Sequence, residues 1–445
     1  MVDQQPKAIR GAFVDFVGDP FLQSETESVR YLKDGLLVVQ DGNIIAFGSY
    51  KNLQEKYGAI PTTHYPDKLI LPGFIDLHIH CPQTEMIASY GAQLLDWLEQ
   101  YTFPTEAKFA DADYARQISG FFLDELLRNG TTSALVLTTI FPQSVEALFE
   151  EAEKRNMRLI AGQVLMSRNA PDNLLNDAQT AYAQVREQIQ KWHGKRRSLY
   201  AITPRFAITS TEEELTLAGK LAAEFPDVYV HTHLAENQKE IEFTAKLFPD
   251  CHDYLNVYEK YGLVGDRSIF AHCIHLDESG FERLSKAGST IAFCPTSNLF
   301  LGSGLFPLSQ AKSETVSVKV GLATDIGAGT SFSQLKTMAD AYKVMQLQGE
   351  SLSSFQAFYL ATLGAAKSLS LDHLLGNFEV GKEADFIVLN PQPTPLLALR
   401  NSNPIPKDLS TLADLLFALM VMGDERVIKA TYIAGEIALA KDNLQ

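Results

Sequence analysis

Apolar runs alternate with amphipathic helical stretches through the middle of the chain. In ADYARQISGFFLDELLRNG, five apolar side chains recur at helical spacing and predict one buried helix face: Tyr114, Ile118, Phe121, Phe122 and Leu126. The segments between such helices are mostly unbroken runs of apolar residues, as in parallel strands that are buried on both faces. Eight are found: LILPGFIDLHIH, TTSALVLTT, RLIAGQVLM, SLYAITPRF, DVYVHTHLAE, RSIFAHC, STIAFCP and SVKVGLATD. Eight alternating units over about 300 residues predict an α/β fold, a (β/α)8 TIM-type barrel.

Both ends of the chain show a different pattern, made of short β-rich runs. GLLVVQDGNIIAFG consists of two apolar runs joined by Asp41-Gly42, a strong hairpin signal. ADFIVLN and VIKATYIAGEIAL, near the other end, are similar short runs. We therefore expect a small β-sandwich domain built from residues 1–67 and 381–445, and a barrel over residues 68–380.

Composition narrows the classes of partner. The net charge of −16 argues against nucleic acid or an anionic membrane as the main partner. The N-terminal segment has no long apolar core, and no run reaches 18 apolar residues, so neither a secretory signal nor a transmembrane helix is expected. The scattered cysteines contain no CxxC pair and predict reduced thiols in a cytoplasmic protein: Cys81, Cys251, Cys273 and Cys294.

The predicted strands end in groups that bind metals or move protons. In barrels of this type the catalytic groups lie at the C-terminal ends of the strands. The groups found there are His78 and His80, Arg205 and Phe206, His231 and His233 with Glu236 just beyond, His272, and Asp325. Imidazole and carboxylate suit zinc or ferrous iron. The pattern therefore predicts a metal site with catalytic groups around it.

The end of the fourth strand indicates one metal and not two. Two-metal barrels usually place a bridging lysine there, whereas this strand ends in AITPRF. Arg205 stays protonated and cannot be a ligand. We therefore expect a single metal, with a water in the open position and His272 near that water. The predicted ligands are His78, His80, His233 and Asp325.

A structural role competes with each of these assignments. A single HxH is more often structural than a ligand, and a lone strand-end aspartate is usually a helix cap. Matching groups at four strand ends favour the metal site. His231 lies one step deeper and is predicted to be a core residue, His275 to leave with the loop, and Cys81 to pack on the opposite face. The other histidines are predicted to be surface or packing residues: His64, His193, His252 and His373.

Six motifs resemble, in order, those of the amidohydrolase superfamily, in particular its one-metal deaminase branch of bacterial type. They are PGFIDLHIHCPQ, TPRF, HTHLAE, AHCIHL, CPTSNLFLGSG and ATDIGAGTSFS. The stretch TEMIASYGAQLLDWLEQYTFPTEAKF also resembles the segment that bacterial members carry after the first metal motif. The resemblance covers nearly the whole chain.

The resemblance implies hydrolysis of guanine to xanthine and ammonia in purine catabolism, by a homodimer with one Zn²⁺ per chain or, alternatively, Fe²⁺. The metal ligands would be His78, His80, His233 and Asp325. The purine would be held by Gln83, Arg205 and Phe206, with His233, Glu236 and Asp325 also in contact with it. Catalysis would fall to Glu236, His272 and Asp325.

Two alternatives stay open on the same fold. One is a different one-metal hydrolase, acting on a triazine, a pterin or a related aminated heterocycle. The other is an assembly protein without catalysis, which would require damaged metal ligands, whereas all four predicted ligands and Glu236 are present. The unrelated zinc deaminases with an H-x-E and P-C-x-x-C signature are excluded, because no P-C-x-x-C occurs.

Overall fold

The computed structural model describes residues 5–91 and 93–440. These residues form two compact units. One comprises Asp76–Asp124 and Ser133–Phe332, and the other comprises the remaining described residues. Within the described ranges, no helix has both the length and the apolar character needed to cross a bilayer.

Sixteen strands in the described part of the chain form two sheets. Those before the barrel are β1 Lys7–Phe16, β2 Val29–Gln40, β3 Asn43–Ser49 and β4 Thr62–Pro72. Those of the barrel are β5 Phe74–His80, β6 Thr131–Leu137, β7 Arg158–Gly162, β8 Val164–Leu165, β9 Ser198–Pro204, β10 Tyr229–Leu234, β11 Ser268–His272, β12 Thr290–Phe293 and β13 Lys319–Leu322. The last are β14 Phe386–Leu389, β15 Ile428–Ile433 and β16 Glu436–Ala440.

The two ends of the chain share one mixed sheet, in the order β16-β15-β14-β4-β1-β2-β3. β1 and β4 pair in parallel, whereas β4 and β14 pair antiparallel. The predicted hairpin at Asp41-Gly42 is confirmed, since β2 and β3 pair across it. Asp41 has φ +50° and Gly42 has φ +83°, the left-handed conformations that a tight hairpin turn requires.

The middle of the chain forms a parallel sheet in the order β13-β12-β11-β10-β9-β7-β6-β5, with the short β8 beside β9. Its first strand also bonds to the segment after its last one. The Asp325 N–H donates to the His78 carbonyl at 2.9 Å, and the His80 N–H donates to the Ile326 carbonyl at 2.9 Å. These bonds close the ring at its C-terminal end, and the predicted barrel with a small β domain is confirmed.

Helices connect most of the barrel strands. The longer ones are Ala112–Arg128, Pro142–Arg155, Ala178–Trp192, Glu212–Glu224, Gln238–Leu247, Tyr254–Lys260, Glu278–Ala287 and Pro295–Phe300. Short turns after β5 include Leu94–Trp97 and Phe103–Glu106, and another short helix is Leu308–Ala311. Helices of the other unit are Glu25–Ser28, Tyr50–Tyr57, Gln334–Leu347, Ser354–Leu360, Leu363–Ser368, Pro395–Arg400 and Leu409–Met422.

Two predictions need correction. The first predicted strand, LILPGFIDLHIH, is two strands, because β4 ends at Pro72 and β5 begins at Phe74. A Cβ at Gly73 would lie 2.1 Å from the Thr132 Oγ1, so the Gly73 backbone is too close to Thr132 for any larger residue to fit without a shift.

Phe121 was predicted to share the buried face of its helix, yet it is 56% exposed. Consecutive residues of a helix lie about 100° apart. The buried face of Ala112–Arg128 therefore includes Phe122 but excludes its neighbour Phe121.

Candidate active site

The C-terminal end of β5 carries three polar side chains on one face. Asp76, His78 and His80 alternate with apolar residues, so all three share a face of the strand, and all three are buried. Pro82 then opens the short 3-10 turn Cys81–Met86, which ends the strand. The period of the strand therefore brings both imidazoles to one place.

Four ligand atoms converge there. The His78 Nε2 lies 3.2 Å from the His80 Nε2 and 3.2 Å from the Asp325 Oδ1. The His80 Nε2 lies 3.3 Å from the same Asp325 Oδ1 and 3.3 Å from the His233 Nε2. A tetrahedral ion with ligand bonds of about 2.0–2.1 Å separates its ligand atoms by about 3.3 Å. This donor set therefore fits a divalent metal, and it is the predicted one.

The second ring nitrogens of two ligands are held by the protein. The His233 Nδ1–H donates to the Arg205 carbonyl at 2.7 Å, which leaves the lone pair of its Nε2 directed at the cluster. The His78 Nδ1 hydrogen-bonds the His231 Nε2 at 2.7 Å. His231 is buried, as predicted for a core residue, but it also orients the predicted ligand His78, which the sequence reasoning missed.

The pKa values put these groups in the form that binds a metal. Burial lowers the pKa of His78 to about 4 and lowers the pKa values of His80 and His233 as well. Burial alone would raise the pKa of Asp325, but the neighbouring His78 and His80 hold it well below its ordinary value. At neutral pH the imidazoles are neutral and the carboxylate is ionised, as metal binding requires.

Asp76 links the first barrel strand, β5, to the segment that follows the last one, β13. Its Oδ1 accepts from the His78 N–H at 3.2 Å and from the Thr324 N–H at 3.1 Å. Its Oδ2 accepts from the Thr324 hydroxyl at 2.5 Å. The sequence analysis did not single out Asp76, although its position two residues before His78 on the same face was a usable signal.

An acid and a histidine lie next to the cluster. The Glu236 Oε2 is 3.4 Å from the His272 Nε2, and its Oε1 accepts from the Ser303 hydroxyl at 3.0 Å. The His272 Nδ1–H donates to the Asn298 amide oxygen at 2.9 Å. Burial raises the pKa of Glu236 to about 7, so its carboxyl is able to take and give a proton near neutral pH.

The pKa of His272 is raised, whereas the pKa values of the three clustered histidines are lowered. Burial alone would lower it, but the carboxylates of Glu236 and Asp325 act against burial, and the net pKa is raised. The His272 Nε2 is 3.8 Å from the Asp325 Oδ2, so it faces both acids. Its ligand atom and those of His78 and Asp325 all lie within 4.8 Å of one another, so His272 borders the predicted metal site.

A buried glutamate fixes the backbone that carries Glu236. The Glu240 Oε2 accepts from the Glu236 N–H at 2.9 Å and from the Asn237 N–H at 3.1 Å. The Tyr254 hydroxyl donates to the Glu240 Oε1 at 2.8 Å. The loop after β10 is therefore held at the N-terminus of the helix Gln238–Leu247.

One cavity connects these groups with the predicted substrate residues. It is lined by the polar or ionisable side chains of His80, Gln83, Arg205, His233, Glu236, His272 and Asp325 and by the apolar side chains of Leu94, Trp97, Leu98, Phe206, Leu301 and Ala328. His275 and Cys81 do not line it. The His275 Nε2–H donates to the Ser303 carbonyl at 2.8 Å, and the Cys81 Sγ contacts the Ser119 Oγ at 3.8 Å.

Comparison with known proteins gives the family. Residues 69–438 match the model of the amidohydrolase family. The chain belongs to the amidohydrolase family.

Several relatives align over nearly the whole chain. The chain is 52% identical to the guanine deaminase of Escherichia coli K12, over 98% of each chain. The structure of guanine deaminase from Bradyrhizobium japonicum superimposes with a TM-score of 0.96 at 41% identity, over 99% of this chain and all of that one. A guanine deaminase from C. acetobutylicum, solved with guanine bound in its active site, gives a TM-score of 0.86 at 31% identity, over 97% of this chain and all of that one.

Another acid of this amidohydrolase site was missed by the sequence reasoning. Glu106 is fully buried, and both of its oxygens lie 2.8 Å from the Arg205 Nη1. It lies on the turn Phe103–Glu106 and not at a strand end, so the search of strand ends passed over it. The sequence carried only an indirect signal, a charged residue within the otherwise apolar segment after β5.

Proposed function

We propose that this chain is a guanine deaminase, which hydrolyses guanine to xanthine and ammonia. The observation that carries the proposal is one cavity whose lining combines three kinds of group. They are members of the proposed metal-ligand set, the Glu236–His272 pair, and the polar groups of Gln83 and Arg205. Whole-chain identity of 52% to the guanine deaminase of Escherichia coli supports the same substrate.

We propose one Zn²⁺ per chain, held by His78, His80, His233 and Asp325, with Fe²⁺ as the alternative. Three imidazole nitrogens and a carboxylate oxygen suit either ion, and the spacing of 3.2 to 3.3 Å suits tetrahedral zinc. Such an ion lowers the pKa of a water from 15.7 to about 7, which makes a nucleophile available at neutral pH.

The residues of the chain account for the proton transfers. Asp325 accepts a proton from the attacking water, and His272 orients that water. As the water oxygen bonds to carbon 2 of guanine, Glu236 protonates ring nitrogen 3. The C2–NH2 bond then breaks as the amine takes a proton by way of Glu236, and ammonia leaves. With a pKa of about 7, Glu236 is suited to act in both directions.

The purine is held by the other cavity residues. The Arg205 guanidinium donates to the oxo group at carbon 6, and Gln83 bonds the neighbouring edge. Phe206 covers a face of the ring. Adenine lacks the oxo group and would leave the buried guanidinium without that acceptor, which disfavours its binding strongly.

We also propose a homodimer in the cytoplasm, with a catalytic barrel over residues 68–380 and a small β domain from residues 1–67 and 381–445. The cytoplasmic assignment is supported by four free cysteines, three of them buried. The domain proposal is supported by the shared sheet of β1–β4 and β14–β16.

An ammonia and xanthine assay tests the proposal. Purified protein of measured metal content is given guanine, adenine, cytosine or a chlorotriazine. We expect turnover of guanine alone, with about one metal per chain. Metal-loaded protein that ignores guanine but turns over another heterocycle would overturn the substrate assignment.

Glu236→Gln is the matched variant in this assay. It keeps the size of the side chain and removes its titration, so we expect kcat for guanine to fall by roughly 10²–10⁴-fold at unchanged metal content. Full activity in this variant would contradict the proton-transfer role of Glu236.

A further inference from the structure

Glu106 is a buried acid in contact with the cavity residues Arg205 and Gln83, and the proposed reaction steps do not use it. It is fully buried, and it lies on the turn Phe103–Glu106, outside the barrel strands. A carboxylate in such a place is costly unless a partner compensates its charge. The partner it has is therefore informative.

That partner is Arg205, which is itself only 2% exposed. Both Glu106 oxygens accept from the Arg205 Nη1 at 2.8 Å. Within the described residues, the other guanidinium nitrogens of Arg205 make no hydrogen bond. Since Arg205 lines the cavity, those N–H groups are the donors left for a ligand.

Phe103 adds a second constraint from the same turn. The Arg205 Cζ lies 5.8 Å from the centroid of the Phe103 ring. Phe103 and Glu106 are three residues apart in a helical turn and so lie on one face of it. One short turn therefore packs against Arg205 and also carries the carboxylate that binds its Nη1.

Glu106 also sets the orientation of Gln83. The Gln83 Nε2–H donates to the Glu106 Oε1 at 3.2 Å, while the Gln83 Oε1 accepts from the Gly327 N–H at 3.1 Å. The two bonds are compatible with one orientation of the amide only. Glu106 thus determines which atom of Gln83 donates and which accepts.

We propose that Glu106 is the positioning residue for purine selection, holding Arg205 and Gln83 so that their remaining polar groups match the edge of a 6-oxopurine. The inference rests on the proposed function, because it takes guanine as the substrate. Glu106 itself acts through these two residues. Its loss should therefore weaken recognition of the 6-oxo group more than binding of the purine ring.

The test compares Glu106→Gln with wild type, using hypoxanthine and unsubstituted purine as inhibitors. The two differ at position 6, and neither carries the amino group that is hydrolysed. We expect the wild type to bind hypoxanthine more tightly, and Glu106→Gln to reduce that preference by about tenfold or more. We expect a rise in KM for guanine to accompany this change, at unchanged metal content.

Glu214→Gln is the matched control, because Glu214 is also a buried barrel glutamate but does not line the cavity. It should keep the wild-type ratio of inhibition constants. An equal weakening of both inhibitors in Glu106→Gln would show a merely structural role and overturn the proposal. If the wild type releases no ammonia from guanine, the proposed function fails instead, and this outcome is distinct.

A double variant separates action through Arg205 from independent action. If Glu106 works mainly by holding Arg205, Glu106→Gln should change the inhibition ratio much less in the Arg205→Gln background than in the wild type, with Gln83 accounting for any remaining effect. Ratios that change by the product of the two single effects would overturn the proposal. The double variant removes both buried charges, so it remains measurable even if Glu106→Gln alone fails to fold.

Discussion

At the scale of single residues, three histidines of the site are held by what their second ring nitrogen contacts. His233 donates to a backbone carbonyl, His272 donates to Asn298, and His78 bonds His231. Each contact restrains a ring and leaves its other nitrogen directed at Asp325, His80 or Glu236. The groups behind the ligands are thus as much a part of the site as the ligands.

His231→Phe tests this view. The aromatic ring preserves most of the volume but removes the hydrogen bond to the His78 Nδ1, so we expect metal affinity to fall by about 10–100-fold. Competition with a chelator measures the affinity, and excess metal should restore activity. His252→Gln is the control, since the His252 side chain is 67% exposed. Wild-type affinity in His231→Phe would show that the bond to His78 is dispensable.

At the scale of elements, the loop after β10 joins a helix cap to Glu236, the proposed catalytic acid. Asn237 and Glu240 form a capping box at the start of the helix Gln238–Leu247. The same Glu240 oxygen also accepts from the Glu236 N–H. The carboxylate that caps this helix therefore also holds the backbone of Glu236.

Glu240→Gln should therefore affect both stability and rate. One amide oxygen replaces a carboxylate that accepts three hydrogen bonds, so we expect a loss of about 1 kcal/mol in the free energy of unfolding and a lower kcat for guanine. Denaturant unfolding and the ammonia assay measure the two effects. Ser353→Ala removes a cap of the helix Ser354–Leu360 and should lose similar stability at full activity. A normal kcat in Glu240→Gln would separate the cap from catalysis.

At the scale of the whole molecule, buried acids make stability depend on pH. Burial is the largest influence on Glu214 and raises its pKa from 4.5 to about 7, against the smaller opposing effects of Ser210 and Ser167. The folded state therefore holds this proton where the unfolded state has lost it. This group favours the folded state below pH 4.5, and its contribution is lost as the pH rises to about 7.

Glu214→Gln should abolish that dependence. The neutral amide does not titrate, so the variant should gain stability relative to wild type between pH 4.5 and about 7. The gain should reach at most about 3 kcal/mol. Unfolding in denaturant across this pH range measures it. A difference between the two proteins that stays constant with pH would show that Glu214 titrates normally.

The sequence by itself determined the barrel, the hairpin and the strand ends, because strand and helix periods are local properties of the chain. The period of two placed His78 and His80 on one face, and apolar runs marked the other strands. These patterns also predicted which strand ends carry metal ligands. They did not reveal the break at Gly73, where β4 of the mixed sheet ends and β5 of the barrel sheet begins. Gly73 lies close to Thr132, which is distant in sequence.

Only the tertiary structure decided which distant groups meet. Glu106 and Arg205 are 99 residues apart, and Asp76 and Thr324 are 248 apart, so no local pattern links them. His231 followed the same strand period as His233, but its role depends on which ring lies against it. Such contacts form when packing buries polar or charged groups that must then find partners. Which groups become neighbours depends on how the chain packs and not on their spacing in the sequence.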